Sequence, residues 1–89
     1  MSVTRDVQIV NPLGMHARPA AQLVRLASGF ASEVTIARDG MPVNAKSIMG
    51  VMMLAAEQGC TVQIAATGPD AEAAVDAIAI LVAKGFGEM

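Results

Sequence analysis

Histidine occurs once in this chain, at position 16, inside the stretch Asn11-Pro12-Leu13-Gly14-Met15-His16-Ala17-Arg18-Pro19-Ala20-Ala21. A free imidazole titrates near pH ~6.5, so at neutral pH it offers a nucleophilic nitrogen. Asn11 to Gly14 reads as a turn or loop, and apolar residues at helical spacing begin at Ala17. His16 therefore stands where a helix begins, beside backbone N–H groups that have no partner within the helix. Such groups hydrogen-bond to anionic oxygens. The amides of Ala17 and Arg18 are the nearest, and the Arg18 guanidinium can clamp the same oxygens. Pro19 supplies no amide, but its fixed φ suits a first helical turn. The pattern describes a residue that takes up negative charge, a phosphoryl group being the candidate, in positive surroundings that disfavour the imidazolium.

From chemistry alone, a lone histidine at a helix start is more often a cap or a surface residue. No Asp or Glu lies between Gln8 and Glu33, so a relay triad would need distant residues. Simple transfer fits better than hydrolysis.

The elements that must position this site follow from periodicity. Val3, Val7 and Ile9 alternate with polar residues, predicting a strand over about residues 3–9, with Arg5 fitting a strand end. Ala17, Ala20, Ala21, Val24 and Ala27, with Leu23 beside them, form a helical stripe. Arg18, Gln22 and Arg25 fall nearer solvent, Gly29 stops the helix, and Phe30 packs back on its last turn. Glu33 to Arg38 and Met41 to Ala45 form a hairpin across Asp39-Gly40, and Pro42 puts the return strand at an edge. Ser47 caps a short helix from about Ile48 to Leu54 or Ala55. Thr61 to Thr67 is the last strand, and Gly68-Pro69-Asp70 leads into a helix from about Ala71 to Ala83, with Val75, Ile78, Ala79 and Val82 buried. The order β-α-β-β-α-β-α predicts a two-layer α/β sandwich with one open sheet face, in a single domain spanning 1–89. Strand order is not legible from this pattern. The tail Gly85-Phe86-Gly87-Glu88-Met89 is expected to fray and receives no function.

Composition narrows the functional classes. The chain is 54% hydrophobic, with two aromatics and a net charge of −2. It has no basic block and no aromatic platform, which argues against nucleic-acid binding. One histidine and one cysteine, Cys60, make no metal-ligand set, and Cys60 reads as a free structural thiol. No apolar run approaches the ~18 residues of a membrane span. Met1 to Asp6 lacks the features of an export signal, so the expected location is the cytoplasm.

Pro12-Leu13-Gly14-Met15-His16-Ala17-Arg18-Pro19-Ala20 resembles the active-site signature of the HPr family, the histidine-containing phosphocarriers of the phosphoenolpyruvate-dependent phosphotransferase system. Lys46-Ser47-Ile48-Met49-Gly50-Val51-Met52 resembles the family's second signature, around a regulatory serine. The resemblance extends over essentially the whole chain, including Gly68-Pro69-Asp70-Ala71. It implies a four-stranded, mainly antiparallel sheet covered on one face by three helices. It also implies that His16 receives a phosphoryl group at Nδ1 from phosphorylated Enzyme I, with Arg18 assisting, and passes it to EIIA-type domains. Such a chain is a phosphoryl-transfer intermediate rather than an independent enzyme, with no cofactor and no small-molecule pocket. It acts as a monomer through a flat, exposed patch.

Ser47 is readable as an N-cap, although Gly50 at N3 excludes a reciprocal capping box. The resemblance adds phosphorylation by an HPr kinase/phosphorylase, with a regulatory protein as a further partner. Ile48, Met49, Val51, Met52, Met53 and Leu54 exceed what a six- or seven-residue helix can bury. Ile48, Met49 and Met52 are expected beside His16 in a docking patch with Met15 and Ala20, because methionine adapts to different partners. Arg25 and Lys46 would add charge steering. The alternative reading is a regulatory binding protein of a nitrogen-related or carbon-control branch, acting through phosphorylation-dependent docking.

Overall fold

The computed structural model describes residues 1–88. The elements are β1 (Ser2–Gln8), α1 (Ala17–Ser28), β2 (Glu33–Arg38), β3 (Met41–Asn44), α2 (Ile48–Met53), β4 (Thr61–Thr67) and α3 (Ala71–Ala83), followed by a short 3-10 turn over Gly85–Gly87. The four strands form one antiparallel sheet in the order β1-β4-β2-β3. This is the open-faced α/β sandwich expected from the pattern.

β4 lies inside the sheet and has the cleanest alternation. Val62, Ile64 and Ala66 are buried, while Thr61, Gln63 and Thr67 face solvent. Ile64 stands opposite Arg5 of β1 and Ile36 of β2. β1 is an edge, so Val3 and Val7 are only half-buried. Arg5 sits in the middle of β1 rather than at a strand end. From an edge its side chain stays hydrated while its guanidinium pairs with Asp76 of α3. Pro42 lies on the other edge strand, β3, and Asp39 and Gly40 both take the positive φ of a tight hairpin turn, 53° and 78°.

α3 packs over β1 and β4, and α1 packs against α2 and α3. The buried positions of α3 include Val75, Ile78, Ala79 and Val82. The stripe of α1 is narrower than its periodicity implied. Leu23 is fully buried between Ala20 and Ala27, whereas Ala17 is exposed and Ala21 and Val24 are half-buried. Leu23 is the large side chain of the set, and its burial sets the helix's rotation about its axis. Cys60 is a half-buried free thiol packed on the core.

Gly85 to Glu88 do not fray, and Met89 lies outside the described residues. Phe86 is buried in the core, and the backbone turns through Phe86 at φ 57° to bring Glu88 against the start of α1.

A second long-range tie fixes the start of α3. The Asp70 carboxylate accepts hydrogen bonds from the amides of Ala31 and Ser32 and from the Ser32 hydroxyl. The Asp70 amide donates in turn to that hydroxyl. These donors, the Ser32 hydroxyl first, hold the Asp70 carboxyl below its ordinary value of 3.8. A carboxyl depressed on folding contributes stability above its unfolded pKa and loses it as pH falls through the folded value. Asp70→Asn should therefore lower stability at neutral pH. In urea titrations over a pH series, the gap from wild type should persist down to about pH 3.8 and close below it.

Candidate functional site

β1 hands the chain to a turn built around Asn11, which is fully buried. The Gly14 amide donates to the Asn11 carbonyl, and the Asn11 side-chain amide donates to the Gly14 carbonyl at 2.8 Å. Gly14 takes φ +64°, and a Cβ there would lie 2.5 Å from the Ala56 carbonyl oxygen and 2.8 Å from Glu57 Cα. Only glycine satisfies both demands. The Met15 amide then donates to the same Ala56 carbonyl at 2.8 Å, and the Met15 side chain is buried.

His16 follows as the N-cap of α1, with extended backbone at φ −87° and ψ −172°. Its carbonyl receives the Ala20 amide, so its main chain starts the helix. Its side chain makes no capping bond. The ring is consequently free to project outward, with its side chain 34% exposed. Pro19 is buried in the first turn, and Ala17 and Arg18 are exposed. Arg18 makes no ion pair among the described residues.

The ring has a partner that lies far away in sequence. His16 Nε2 lies 2.8 Å from Glu88 Oε2 and 3.1 Å from Oε1. The Asn11 side-chain amide donates to Glu88 Oε1 at 2.9 Å, which braces the carboxylate. The hydrogen bond from His16, then burial opposed by the Asn11 bond and by the charges of His16 and Arg18, leaves the Glu88 carboxyl below its ordinary value. The site is thus not purely positive. Arg18, Glu88, Phe86, Gly87, Pro12 and Leu13 line an open depression of about 460 Å³. The surface is indented at this point rather than flat.

Ser47 is the N-cap of α2, and its hydroxyl accepts the Gly50 amide at 3.2 Å. Ile48, Met49 and Met52 are exposed, as is Met53, and Val51 is the residue of α2 turned into the core. Met15 and Ala20 are corrections to the expected docking patch. Both are buried, because Met15 follows the Gly14 cradle inward and Ala20 lies on the core side of α1. They shape the site from beneath. Lys46 is half-buried, and its ammonium donates to the Phe30 carbonyl at 2.8 Å, joining α2 to the segment after α1. Arg25 lies in the last turn of α1, about 13 Å along the axis from His16 at ~1.5 Å per residue. There it complements the helix dipole.

The structure therefore brings His16, Ala17 and Arg18 together and places Ser47 on a neighbouring helix. Asn11 and Glu88 belong to the site but escaped the sequence reading. Asn11 was visible within the histidine stretch, though only as a turn former. Glu88 carried no local signal. No group of three or more His, Cys, Asp or Glu side chains among the described residues could hold a metal ion.

The chain is similar to known proteins over nearly its whole length. The family model described as "PTS HPr component phosphorylation site" matches residues 3–84. A "Phosphocarrier protein HPr" of Cupriavidus necator is 54% identical over 84 residues, covering 94% of each chain. A "Phosphocarrier protein NPr" of Escherichia coli is 42% identical over 89 residues, covering 99% of each. The crystal structure of HPr-C-His from Thermoanaerobacter tengcongensis superposes with a TM-score of 0.93 at 44% identity, covering 98% of each chain.

The Ser47 cap has a measurable consequence. Ser47→Ala leaves the Gly50 amide without its partner, and the loss of such a cap costs about 1 kcal/mol. Chemical denaturation should show that loss, and an unchanged midpoint would remove Ser47 from the architecture of α2.

Proposed function

The chain belongs to the HPr family of phosphocarrier proteins, and on that premise we propose that His16 is the residue that carries the phosphoryl group. The observation that supports this is the placement of a partly exposed imidazole at the start of α1, with no capping bond to occupy it. The donor is phosphorylated Enzyme I, and the acceptors are EIIA-type proteins.

In this reading the Ala17 and Arg18 amides and the Arg18 guanidinium receive the phosphoryl oxygens. In the same reading the chain shuttles between proteins as a single domain and acts as a monomer in the cytoplasm. The exposed face of α2 supplies the adaptable contact, with Ile48, Met49 and Met52 as its anchors and Met53 extending it.

Ser47 adds a regulatory site. Phosphorylation there by an HPr kinase/phosphorylase would bring nearly two negative charges to a helix N-terminus, where the dipole tolerates them. The same charge would change what α2 presents to Enzyme I, to EIIA-type domains and to a regulatory protein. Regulatory binding in a nitrogen-related or carbon-control branch is the second reading.

Two experiments follow. The pure protein is incubated with labelled phosphoenolpyruvate and catalytic Enzyme I beside its His16→Ala variant. Acid-labile, alkali-stable label should appear on the parent alone, while circular dichroism shows the variant folded. Label on the variant would remove His16 from the mechanism. Ser47→Asp should slow acceptance from Enzyme I on the order of tenfold by charge repulsion, and unchanged transfer kinetics would count against regulation through this site.

A further inference from the structure

An ionised carboxylate only accepts hydrogen bonds. With Glu88 Oε2 2.8 Å from His16 Nε2, the proton of that contact must sit on the ring nitrogen. The other ring nitrogen, Nδ1, has no hydrogen-bond partner among the described residues. The carboxylate is itself held in place. Asn11 is fully buried and donates from one nitrogen to both Glu88 and the Gly14 carbonyl. Phe86, two positions before Glu88, is buried in the core. Glu88, from the tail, is the charged group at hydrogen-bond distance from the ring, and Arg18 of α1 lines a depression with Glu88 and acts on its carboxylate.

We propose that Glu88 is a positioning residue for phosphoryl transfer. By accepting a hydrogen bond from Nε2–H it fixes the histidine tautomer and directs the free lone pair of Nδ1 toward the donor. The chemical step rests on the phosphocarrier reading, whereas the tautomer does not. As the Nδ1–P bond forms, the donor's bond to phosphorus breaks and its electron pair stays with the donor. The proton remains on Nε2. The ring acquires positive charge, and Glu88 faces that charge at hydrogen-bond distance.

The same carboxylate sits near a group that becomes dianionic. It offsets the pull of Arg18 and of the helix amides, so the phosphoryl group is not held too tightly for onward transfer. Glu88 thus favours a charged ring, which leaves phosphorus more readily, over a firmly bound phosphate. Both effects follow from one side chain at the end of a tail.

The test uses 15N-labelled whole protein at about pH 8.5, well above the ~6.5 of a free imidazole. A long-range 1H–15N spectrum reports which nitrogen bears the proton. The wild type should show the proton on Nε2. Glu88→Ala should let the ring relax toward the distribution of a free histidine peptide, in which a minor Nδ1–H form appears beside Nε2–H, and slow phosphoryl acceptance from Enzyme I on the order of tenfold. A wild-type proton on Nδ1 overturns the proposal, and this arm holds even where the variant fails to fold. A folded variant with an unchanged tautomer, or an unchanged acceptance rate, overturns it as well. Failure of the carrier reading shows separately, as wild-type protein that takes no label from an active Enzyme I.

Discussion

Gly14 is pressed against the Ala56 carbonyl and Glu57 Cα at a positive φ, and the position of His16 depends on that contact. The close approach lets the Met15 amide reach the Ala56 carbonyl and sends the Met15 side chain into the core. The next residue must then leave the core in extended conformation, which makes His16 the N-cap. Its backbone closes the first helical bond while its side chain remains available. A serine or aspartate at this position would turn its side chain back on the helix amides. The histidine side chain makes no such bond and leaves those amides uncapped. The site is thus assembled by main-chain geometry, and the reactive side chain has no structural duty that would compete with its chemistry.

The tail completes this arrangement by joining core packing to the ring. Phe86 is anchored by burial, which holds Glu88 within reach of both Asn11 and His16. Asn11 acts twice, tying the turn through Gly14 and bracing the carboxylate. Its side-chain oxygen is buried without a partner among the described residues. An unpaired buried carbonyl carries a cost of about 1–3 kcal/mol. The cost is tolerated because the amide nitrogen fixes two groups at the site.

The regular elements were legible in the sequence because a half-buried strand and a one-sided helix write their burial directly as period 2 and period 3.6. The Asp39-Gly40 turn and the Pro42 edge were legible for the same local reason: each depends on the φ values its own residues allow. What stayed hidden depends on partners distant along the chain. The placement of β4 between β1 and β2 is one case. The Glu88–His16 contact, 72 positions apart, is another. Met15 and Ala20 were legible as neighbours of the histidine but not as buried ones. Their direction is set by the cradle at Gly14 and by the rotation that Leu23 imposes on α1.

A carrier must accept a group from one protein and surrender it to another, so its affinity for that group is bounded from both sides. The site observes both bounds. A deep basic pocket would hold phosphate and stall transfer. In the proposed reading one exposed guanidinium and two helix amides attract the group, and Arg18 lines an open depression where water screens its charge. A carboxylate at the opposite ring nitrogen limits the attraction. The neighbouring surface follows the same logic at the level of proteins. Exposed methionines on α2 offer contact area with little shape of their own. Such a surface can meet successive partners without being moulded to any one of them, and a phosphoryl shuttle requires that its complexes part as readily as they form.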